Sequence, residues 1–298
     1  MRRHSGRMAN DAPTRSRSRD ASGNNPEPQG SFRLTDRERG EVEAKTAPRV
    51  QVVHETIRTE GTEELSRSVA ALSWASLAGG LSMGFSMLVP ALMAVHLAGV
   101  TGAFLLIELG YTTGFLIVVI ARQQLFTENT LTAVLPLVTH PGWHALGRLL
   151  RLWGVVLIGN LVGVAVFALA MAHMHVLDAQ TQAALTQMAT HVLDNSVVQM
   201  FTKGIIAGWL LGTMVWMLPA MPGAKVVTIV LMTWLIGAGN FTHIIVGSAE
   251  MLYLVFRGEL SMAGYVLHFA LPTLAGNIVG GSMIFGLISH AQVRSDGE

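Results

Sequence analysis

Charged side chains almost disappear from the chain after residue 68. The last 230 of the 298 residues contain only seven Lys or Arg and eight Asp or Glu, and charged residues make up 13% of the whole chain. A soluble domain carries about 25% charged residues, because it needs them to cover its surface. Lipid-facing surface needs no such cover, so the sequence predicts an all-α integral membrane protein.

The two ends of the chain have a different composition. Residues 1–50 are rich in Arg, Ser, Asn, Pro and Gly and contain no apolar run, which predicts a disordered tail. Residues 51–68 interleave apolar side chains with Glu and Arg, which indicates an amphipathic helix on the membrane surface, although Gly61 weakens that pattern. Residues 291–298 are polar and predict a short tail. The membrane domain is therefore predicted to span residues 69–290.

Composition also excludes several classes of protein. The net charge of +1 does not fit a chain whose whole surface binds nucleic acid, so no nucleic-acid partner is predicted. The absence of cysteine excludes a disulfide framework, a thiolate metal site and a cysteine nucleophile. His173 and His175 alternate in sequence, but no third ligand is evident near them. We therefore predict no metal, no cofactor and no catalytic residue.

Six apolar stretches lie in the membrane domain, and two of them have unusual lengths. The stretches cover residues 70–97, 104–138, 150–173, 203–219, 226–256 and 262–289. One span needs about 20 apolar residues, so the second and fifth stretches are too long for one span and too short for two. Both also have polar or small residues at their centres. Because non-helical backbone at membrane depth is tolerated only inside protein or along a cavity, these are predicted to be broken helices.

The two halves of the membrane domain repeat one another. The third stretch contains Gly159-Asn160-Leu-Val-Gly163 and the sixth contains Gly276-Asn277-Ile-Val-Gly280. Two consecutive halves of three spans each must enter the membrane from opposite sides, so the pattern predicts an inverted 3+3 repeat. The glycines have the spacing of close helix packing, which is the role expected for them.

Basic residues in the connections orient this bundle. Arg148, Arg151, Lys225 and Arg294 fall on the side shared by both termini. Arg257 falls on the other side, where the 3–4 connection has two acids before Lys203. Because positive residues favour the cytoplasmic side, both termini are predicted to be cytoplasmic.

The two predicted breaks carry a resemblance to a known family. Residues 122–129, Arg-Gln-Gln-Leu-Phe-Thr-Glu-Asn, resemble the Leu-Phe-Thr segment of the formate–nitrite transporter family, and residues 240–243 fall where that family has Phe-Glu-His. The similarity covers roughly residues 53–292. It implies an aquaporin-like homopentamer in a bacterial inner membrane, with lipid and its own copies as partners. Each protomer would be a channel, not an enzyme, for small monovalent anions such as formate, nitrite or hydrosulfide.

The resemblance also implies roles for individual residues. Leu125 and Phe126 would form an apolar constriction, and Thr127 would face the pore-lining His243. Three further residues match family positions: Lys225, which would supply positive potential near the pore, and Tyr111 and Phe115, which would line the outer and inner constrictions.

Several residues depart from the family pattern. Thr242 replaces a Glu, and Gly247 replaces the Asn four positions after the histidine; both replaced residues are expected to tune that histidine. Glu128 and Glu250 are additional acids near the breaks. These acids and Arg122 either pair with one another and cap broken helix ends, or act in the pore. A different substrate or an altered gate is left open.

His243 is the strongest candidate for a functional side chain, since an ionisable group inside a membrane is usually functional. A neutral imidazole can donate a hydrogen bond to an anion, and an imidazole that has first taken up a proton in the field of that anion can pass this proton to it. A weak acid then crosses the constriction neutral and avoids the several kcal/mol that stripping a bare ion of water costs. Two alternatives remain: transport of a cation or neutral metabolite, which Glu128 and Glu250 favour, and an intramembrane enzyme or sensor, for which no catalytic cluster is evident.

Overall fold

The computed structural model describes residues 34–295, without the side chains of residues 43–45, and this part of the chain is helical. It comprises two units that divide between Thr46 and Ala47. In the first unit, helix α1 spans Asp36–Lys45. The prediction of a disordered tail over residues 1–50 is therefore wrong for Asp36–Lys45, and residues 1–33 lie outside the described residues. The helix is locally stabilised, because the Glu38 carboxylate accepts hydrogen bonds from the Thr35 N–H and hydroxyl at 2.7 and 2.8 Å.

The second unit holds the remaining helices. They are α2 (Val50–Ser66), α3 (Val69–Met83), α4 (Phe85–His96), α5 (Ala103–Ile107), α6 (Thr112–Ile120), α7 (Asn129–Thr132), α8 (Val134–Thr139), α9 (Trp143–His173), α10 (Ala179–Leu193), α11 (Val197–Ala220), α12 (Lys225–Ala238), α13 (Ile244–Phe256) and α14 (Met262–Ser295). Among the described residues, five helices are long and apolar enough to cross a membrane. They are α3 with α4, α5 with α6, α9, α11 and α14. Three apolar helical segments beside the breaks are shorter, namely Asn129–Thr139, Pro222–Ala238 and Ile244–Phe256.

Two non-helical segments interrupt the second and fifth apolar stretches. The first covers residues 121–128 and the second covers residues 239–243. Each contains a residue in the left-handed region, Arg122 with φ of 52° and Asn240 with φ of 48°. A non-glycine residue rarely adopts this conformation, and it stops the preceding helix from continuing. The interruptions lie where the polar centres of the two long stretches indicated them.

The unbroken helices that precede and follow each broken one in the chain pack in the same way in both halves. Helix α3 packs along α9, and α11 packs along α14. The repeated glycines of α9 and α14 lie at these contacts: a Cβ on Gly163 would come within 2.5 Å of the Leu77 carbonyl, and one on Gly280 within 2.0 Å of the Ile205 carbonyl. These glycines therefore permit the close helix packing that was expected of them.

Helix α2 lies across one end of this bundle, which we call the α2 end. Gly61 faces α7 so closely that a Cβ would lie 2.0 Å from the Thr132 carbonyl oxygen. The glycine that weakened the helical pattern is thus the residue that lets α2 approach the first break. The end of α14 also packs against α2, and His54 Nε2 lies 3.2 Å from His290 Nδ1. Because α14 stays helical to Ser295, the tail expected from residue 291 begins later than predicted.

Candidate pore site

The two breaks meet at a buried pair of polar side chains. Thr127 Oγ1, from the first break, lies 2.8 Å from His243 Nε2, from the second. Thr127 is fully buried and His243 is 1% exposed. The structure therefore brings together the two residues that the sequence placed in equivalent interruptions, although they lie 116 positions apart in the chain.

The position of His243 at the start of α13 determines which ring nitrogen carries its proton. His243 is the N-cap of this helix, and its Nδ1 accepts a hydrogen bond from the Val246 N–H at 3.3 Å. A nitrogen that accepts cannot carry a proton, so the neutral ring is protonated at Nε2. The Nε2–H then donates to Thr127 Oγ1, whose own hydroxyl proton remains available to another acceptor. Protonation of Nδ1 would turn it into a donor and break the cap.

Apolar side chains enclose this pair. Leu125, Phe126 and Phe115 are at most 1% exposed. The Phe115 ring lies edge-on to the His243 ring with centroids 5.1 Å apart, and Tyr111 follows at 5.6 Å from Phe115. Of the four residues that the resemblance assigned to constrictions, Leu125 and Phe126 therefore lie within the first break, and Phe115 and then Tyr111 follow from the His243 ring. A bare ion at this position would be separated from bulk water by aromatic and aliphatic groups, which makes entry of an unneutralised charge costly.

Two asparagines hold the breaks in place with the same three hydrogen bonds. Asn160 Oδ1 accepts from the Phe126 N–H at 2.9 Å, and Asn160 Nδ2 donates to the carbonyls of Ser76 and Gln124, both at 2.8 Å. This buried amide satisfies the main-chain groups that the first break removes from helical pairing.

Asn277 makes the equivalent set of bonds on the second break. Its Oδ1 accepts from the Ile244 N–H at 2.9 Å, and its Nδ2 donates to the carbonyls of Gly204 and Thr242 at 2.9 and 3.0 Å. Each Gly-Asn motif is thus the support for the break in the neighbouring helix, a function that the sequence motif alone did not specify.

A polar network that sequence analysis missed connects the first break to α2. Gln124 Nε2 donates to the Glu64 carboxylate at 2.9 Å, and Gln124 Oε1 accepts from Asn129 Nδ2 at 2.9 Å. Glu64 also accepts from Arg67 Nη1 at 3.0 Å. The three-residue spacing of Glu64 and Arg67 indicates a helix-surface pair in the sequence, but nothing there indicates its link to the break, 60 positions away.

Lys225 does not lie beside His243. It begins α12, whose 14 residues span about 21 Å before the second break. Its charge instead interacts with Glu128 and with Glu60 of α2. Burial raises the pKa of Glu60, and the charges of Arg122 and Lys225 act in the opposite direction. The resemblance implies that Lys225 supplies positive potential near the pore; its charge lies at the α2 end, and that role stays a prediction.

The acids near the breaks lie on opposite sides of the Thr127–His243 pair. Glu128 lies on the side of α2, whereas Glu250 lies seven residues beyond His243 along α13. Glu250 is within electrostatic range of Tyr111 and of Glu108, an acid that sequence analysis passed over. Glu108 is 7% exposed and rests against Gly237, where a Cβ would be 2.4 Å from its carboxylate oxygen.

Glu128, Glu250 and Arg122 form no ion pair with one another in the part of the chain that the structure describes. No hydrogen bond is made by the carboxylate of Glu128, Glu250 or Glu108 to any residue between 34 and 295. The expected pairing of these groups with one another, or capping of broken helix ends, is therefore not found among the described residues. Their carboxylates are instead unpaired on both sides of the buried histidine.

Two departures from the family pattern serve local packing. The Thr242 hydroxyl donates to the Met200 carbonyl at 2.7 Å, so it bonds to α11 and not to the histidine. Gly247 lies under the buried ring of Phe269, and a Cβ there would come within 2.2 Å of Cζ. A larger residue at 247 would need this ring to move.

Helices interrupted at membrane depth, a buried polar pair between the interruptions and an apolar enclosure define a membrane transport protein. A family model described as formate/nitrite transporter matches residues 51–291. The chain belongs to the formate/nitrite transporter family, whose members transport small anions across membranes and are not enzymes.

Individual relatives agree with this assignment. The chain is 51% identical over 265 residues to the inner membrane protein YfdC of Escherichia coli (strain K12), covering 88% of this chain and 86% of that protein. It is 25% identical over 183 residues to the uncharacterized transporter YrhG of Bacillus subtilis (strain 168), covering 60% and 67%.

Two solved structures are similar to the fold. A pentameric formate channel with formate bound superposes with a TM-score of 0.65 at 22% identity, covering 75% of this chain and 97% of that one. An ion channel of the same family superposes with a TM-score of 0.71 at 18% identity, covering 80% and 98%. The likeness supports the all-helical channel fold.

Proposed function

We propose that the chain forms a channel through which small monovalent anions cross as their conjugate weak acids, the class that includes formic acid, nitrous acid and hydrogen sulfide. The observation that carries the proposal is the buried Thr127–His243 pair between two apolar walls. Family membership supplies the solute class, and the formate-bound neighbour supports it.

The pair would act as a donor at a point that excludes water. His243 Nε2–H donates to Thr127, and the Thr127 hydroxyl is then oriented to donate to an entering solute. Because a bare anion loses several kcal/mol of hydration at such a point, a solute that takes up a proton crosses more readily. Leu125, Phe126 and Phe115 would exclude free ions, and Tyr111 would narrow the path on the opposite side.

The unpaired acids favour a solute that crosses the membrane in its neutral, protonated form. An anion that approaches from either side must pass a carboxylate, Glu128 on one side and Glu250 with Glu108 on the other. Acidic groups beside a pore oppose anions unless the solute or the group carries a proton. The same acids support a second candidate function, transport of a small cation or neutral metabolite by this scaffold.

A flux panel in proteoliposomes tests both functions. Formate, nitrite, hydrosulfide and acetate should enter faster at lower external pH, while glycerol, ammonium and sodium should not enter above the rate of empty liposomes. Flux of ammonium, sodium or glycerol without flux of the weak acids would overturn the first candidate in favour of the second.

Variants of the pair test the mechanism. Thr127→Val removes the hydroxyl at nearly constant volume and should reduce weak-acid flux. The matched control is Thr233→Val, because Thr233 is equally buried but bonds only to the Ile229 carbonyl of its own helix. His243→Asn should change both flux and its pH dependence in a protein that still assembles. An unchanged pH profile in His243→Asn would make the histidine a packing residue and end the proton-linked mechanism.

We further propose six membrane segments in an inverted repeat, five protomers in a ring, and a bacterial inner membrane location with the α2 end in the cytoplasm. The equivalent hydrogen bonds of Asn160 and Asn277 favour the inverted repeat. The pentameric neighbour favours the five-fold ring, and the E. coli relative favours the inner membrane. Native mass spectrometry in detergent should report a pentamer, and a monomer or dimer would contradict it. Cysteines introduced near residues 143 and 259 should be labelled from opposite sides of the membrane.

A further inference from the structure

A basic pocket lies at the α2 end, where α2 ends and the 31-residue helix α9 begins. Its cavity has a volume of about 440 Å³, and its lining includes Ser66, Trp143, His144, Arg148 and Arg151. It shares no residue with the site around Thr127 and His243. The start of a long helix adds unpaired main-chain N–H groups and the positive end of the helix dipole to the two guanidinium groups.

The positive charge of this pocket has no acidic partner. Neither Arg148 nor Arg151 has a carboxylate within 4.0 Å among residues 34–295. The nearby acid Glu64 is already bonded to Arg67 and Gln124. The membrane domain contains few charged residues. Two arginines without a nearby carboxylate therefore indicate that an external anion binds between them.

The two arginines have different structural tasks. Arg151 Nη2 donates to the carbonyls of Leu65 and Arg67 at 2.8 and 3.1 Å, so it fixes the end of α2 against α9. Arg148 is half-buried, and its Nε is fully enclosed without an acceptor in the described structure. No described residue accepts a hydrogen bond from the terminal Nη groups of Arg148 either, and these groups, which are not enclosed, can donate to an anion in the pocket.

The level of the pocket relative to the membrane surface indicates the source of that anion. Trp143 at its rim is 89% exposed, and Trp74, about one and a half turns into the neighbouring α3, is 74% exposed. Exposed tryptophans are enriched at the membrane–water interface, and basic pockets between helices at this level fit lipid head groups. A surface helix and the first turn of a membrane-crossing helix also meet at head-group level.

We infer that this pocket binds the phosphate group of an anionic membrane lipid through Arg148, Arg151 and the start of α9. Arginine is suited to the task because its planar fork donates two parallel hydrogen bonds to phosphate oxygens. The lipid would link the end of α2 to α9, and through Glu64 and Gln124 it would be connected to the first break. Its occupant is a structural lipid and not the transported solute.

The inference is tested on the purified, delipidated full-length protein. Phosphatidylglycerol, phosphatidylcholine or inorganic phosphate is added at matched concentrations while thermal unfolding is followed, and native mass spectrometry counts the lipids bound per protomer. Phosphatidylglycerol should bind and raise the melting temperature clearly more than phosphatidylcholine. Equal effects of the two lipids would overturn the inference, and so would inorganic phosphate that reproduces the full effect of the anionic lipid.

A variant and a matched control make the test specific. Arg148→Gln should weaken phosphatidylglycerol binding roughly tenfold or more, as expected for loss of a hydrogen bond between charged groups. Arg148→Lys keeps the charge without the fork and should fall between Arg148→Gln and the wild type. Arg294→Gln removes one positive charge at the exposed end of α14 and should leave the lipid effect unchanged. Equal phosphatidylglycerol binding by Arg148→Gln and Arg294→Gln would refute the site. If Arg148→Gln does not assemble, the number of phosphatidylglycerol and phosphatidylcholine molecules bound to the wild type decides the question.

Discussion

Replacing Asn160 with alanine tests the support of the first break. The substitution removes three hydrogen bonds of 2.8–2.9 Å and leaves the Phe126 N–H and the Gln124 carbonyl without their partner. The Ser76 carbonyl is less affected, because it lies within helix α3 and keeps helical pairing. Asn160 is fully buried, so water cannot replace the lost bonds without opening the packing of α3 on α9.

The expected loss of stability follows from the three lost hydrogen bonds and the two main-chain groups left without a partner. Polar contacts inside membrane proteins contribute about 0.6 kcal/mol each on average, which gives about 2 kcal/mol for three bonds. Each orphaned buried group costs about 1–3 kcal/mol, which gives an upper value of about 6 kcal/mol for two. We therefore expect Asn160→Ala to lower the free energy of unfolding by about 2–6 kcal/mol. Asn277→Ala should have an effect of similar size, because it removes the same three bonds from the second break.

Reversible unfolding by a denaturing detergent in mixed micelles measures this free energy, with flux in proteoliposomes as a second readout. Asn195→Ala is the control, because this half-buried asparagine bonds in the connection between α10 and α11, away from both breaks. A loss below about 1 kcal/mol in both Asn160→Ala and Asn277→Ala would refute the argument that the asparagines hold the breaks. Stability that falls equally in Asn195→Ala would refute it as well.

Three further predictions address the enclosure, a departure from the family pattern and the α2 end. Leu125→Ala should raise flux and relax selectivity towards larger acids, and an unchanged acetate-to-formate ratio would contradict an apolar constriction. Gly247→Asn should cost about 1–3 kcal/mol or more by overpacking against Phe269, and Phe269→Ala should relieve that loss in the double variant. Burial, and then the neighbouring His290, hold the pKa of His54 below its ordinary value of 6.5. The unfolded chain therefore takes up this proton more readily, and hydrogen exchange in α2 should accelerate as pH falls through and below about 6.5 in the wild type but not in His54→Gln.

Much of the architecture follows from the sequence because membrane insertion imposes one-dimensional rules. A span must be apolar over about 20 residues, so stretches of 35 and 31 residues with polar centres indicate interrupted helices. The same reasoning identified the interruptions that contain Thr127 and His243, since equivalent segments of an inverted repeat meet near the midplane. The resemblance then supplied the apolar neighbours Leu125 and Phe126.

Only the tertiary structure decided which groups compensate one another. Lys225 lies 18 positions before His243 in the sequence, and the 14-residue helix α12, which Lys225 begins, carries its charge to the α2 end. Glu108 lies near Glu250 and Tyr111 although 142 positions separate the two acids, and no local pattern records such a distance. The three bonds of each asparagine, the tautomer of His243 and the unpartnered Arg148 likewise depend on neighbours from other helices. Apolar length and charge bias act along the chain, whereas hydrogen bonds and ion pairs act through space, so the sequence determined the spans and breaks, and the fold determined their chemistry.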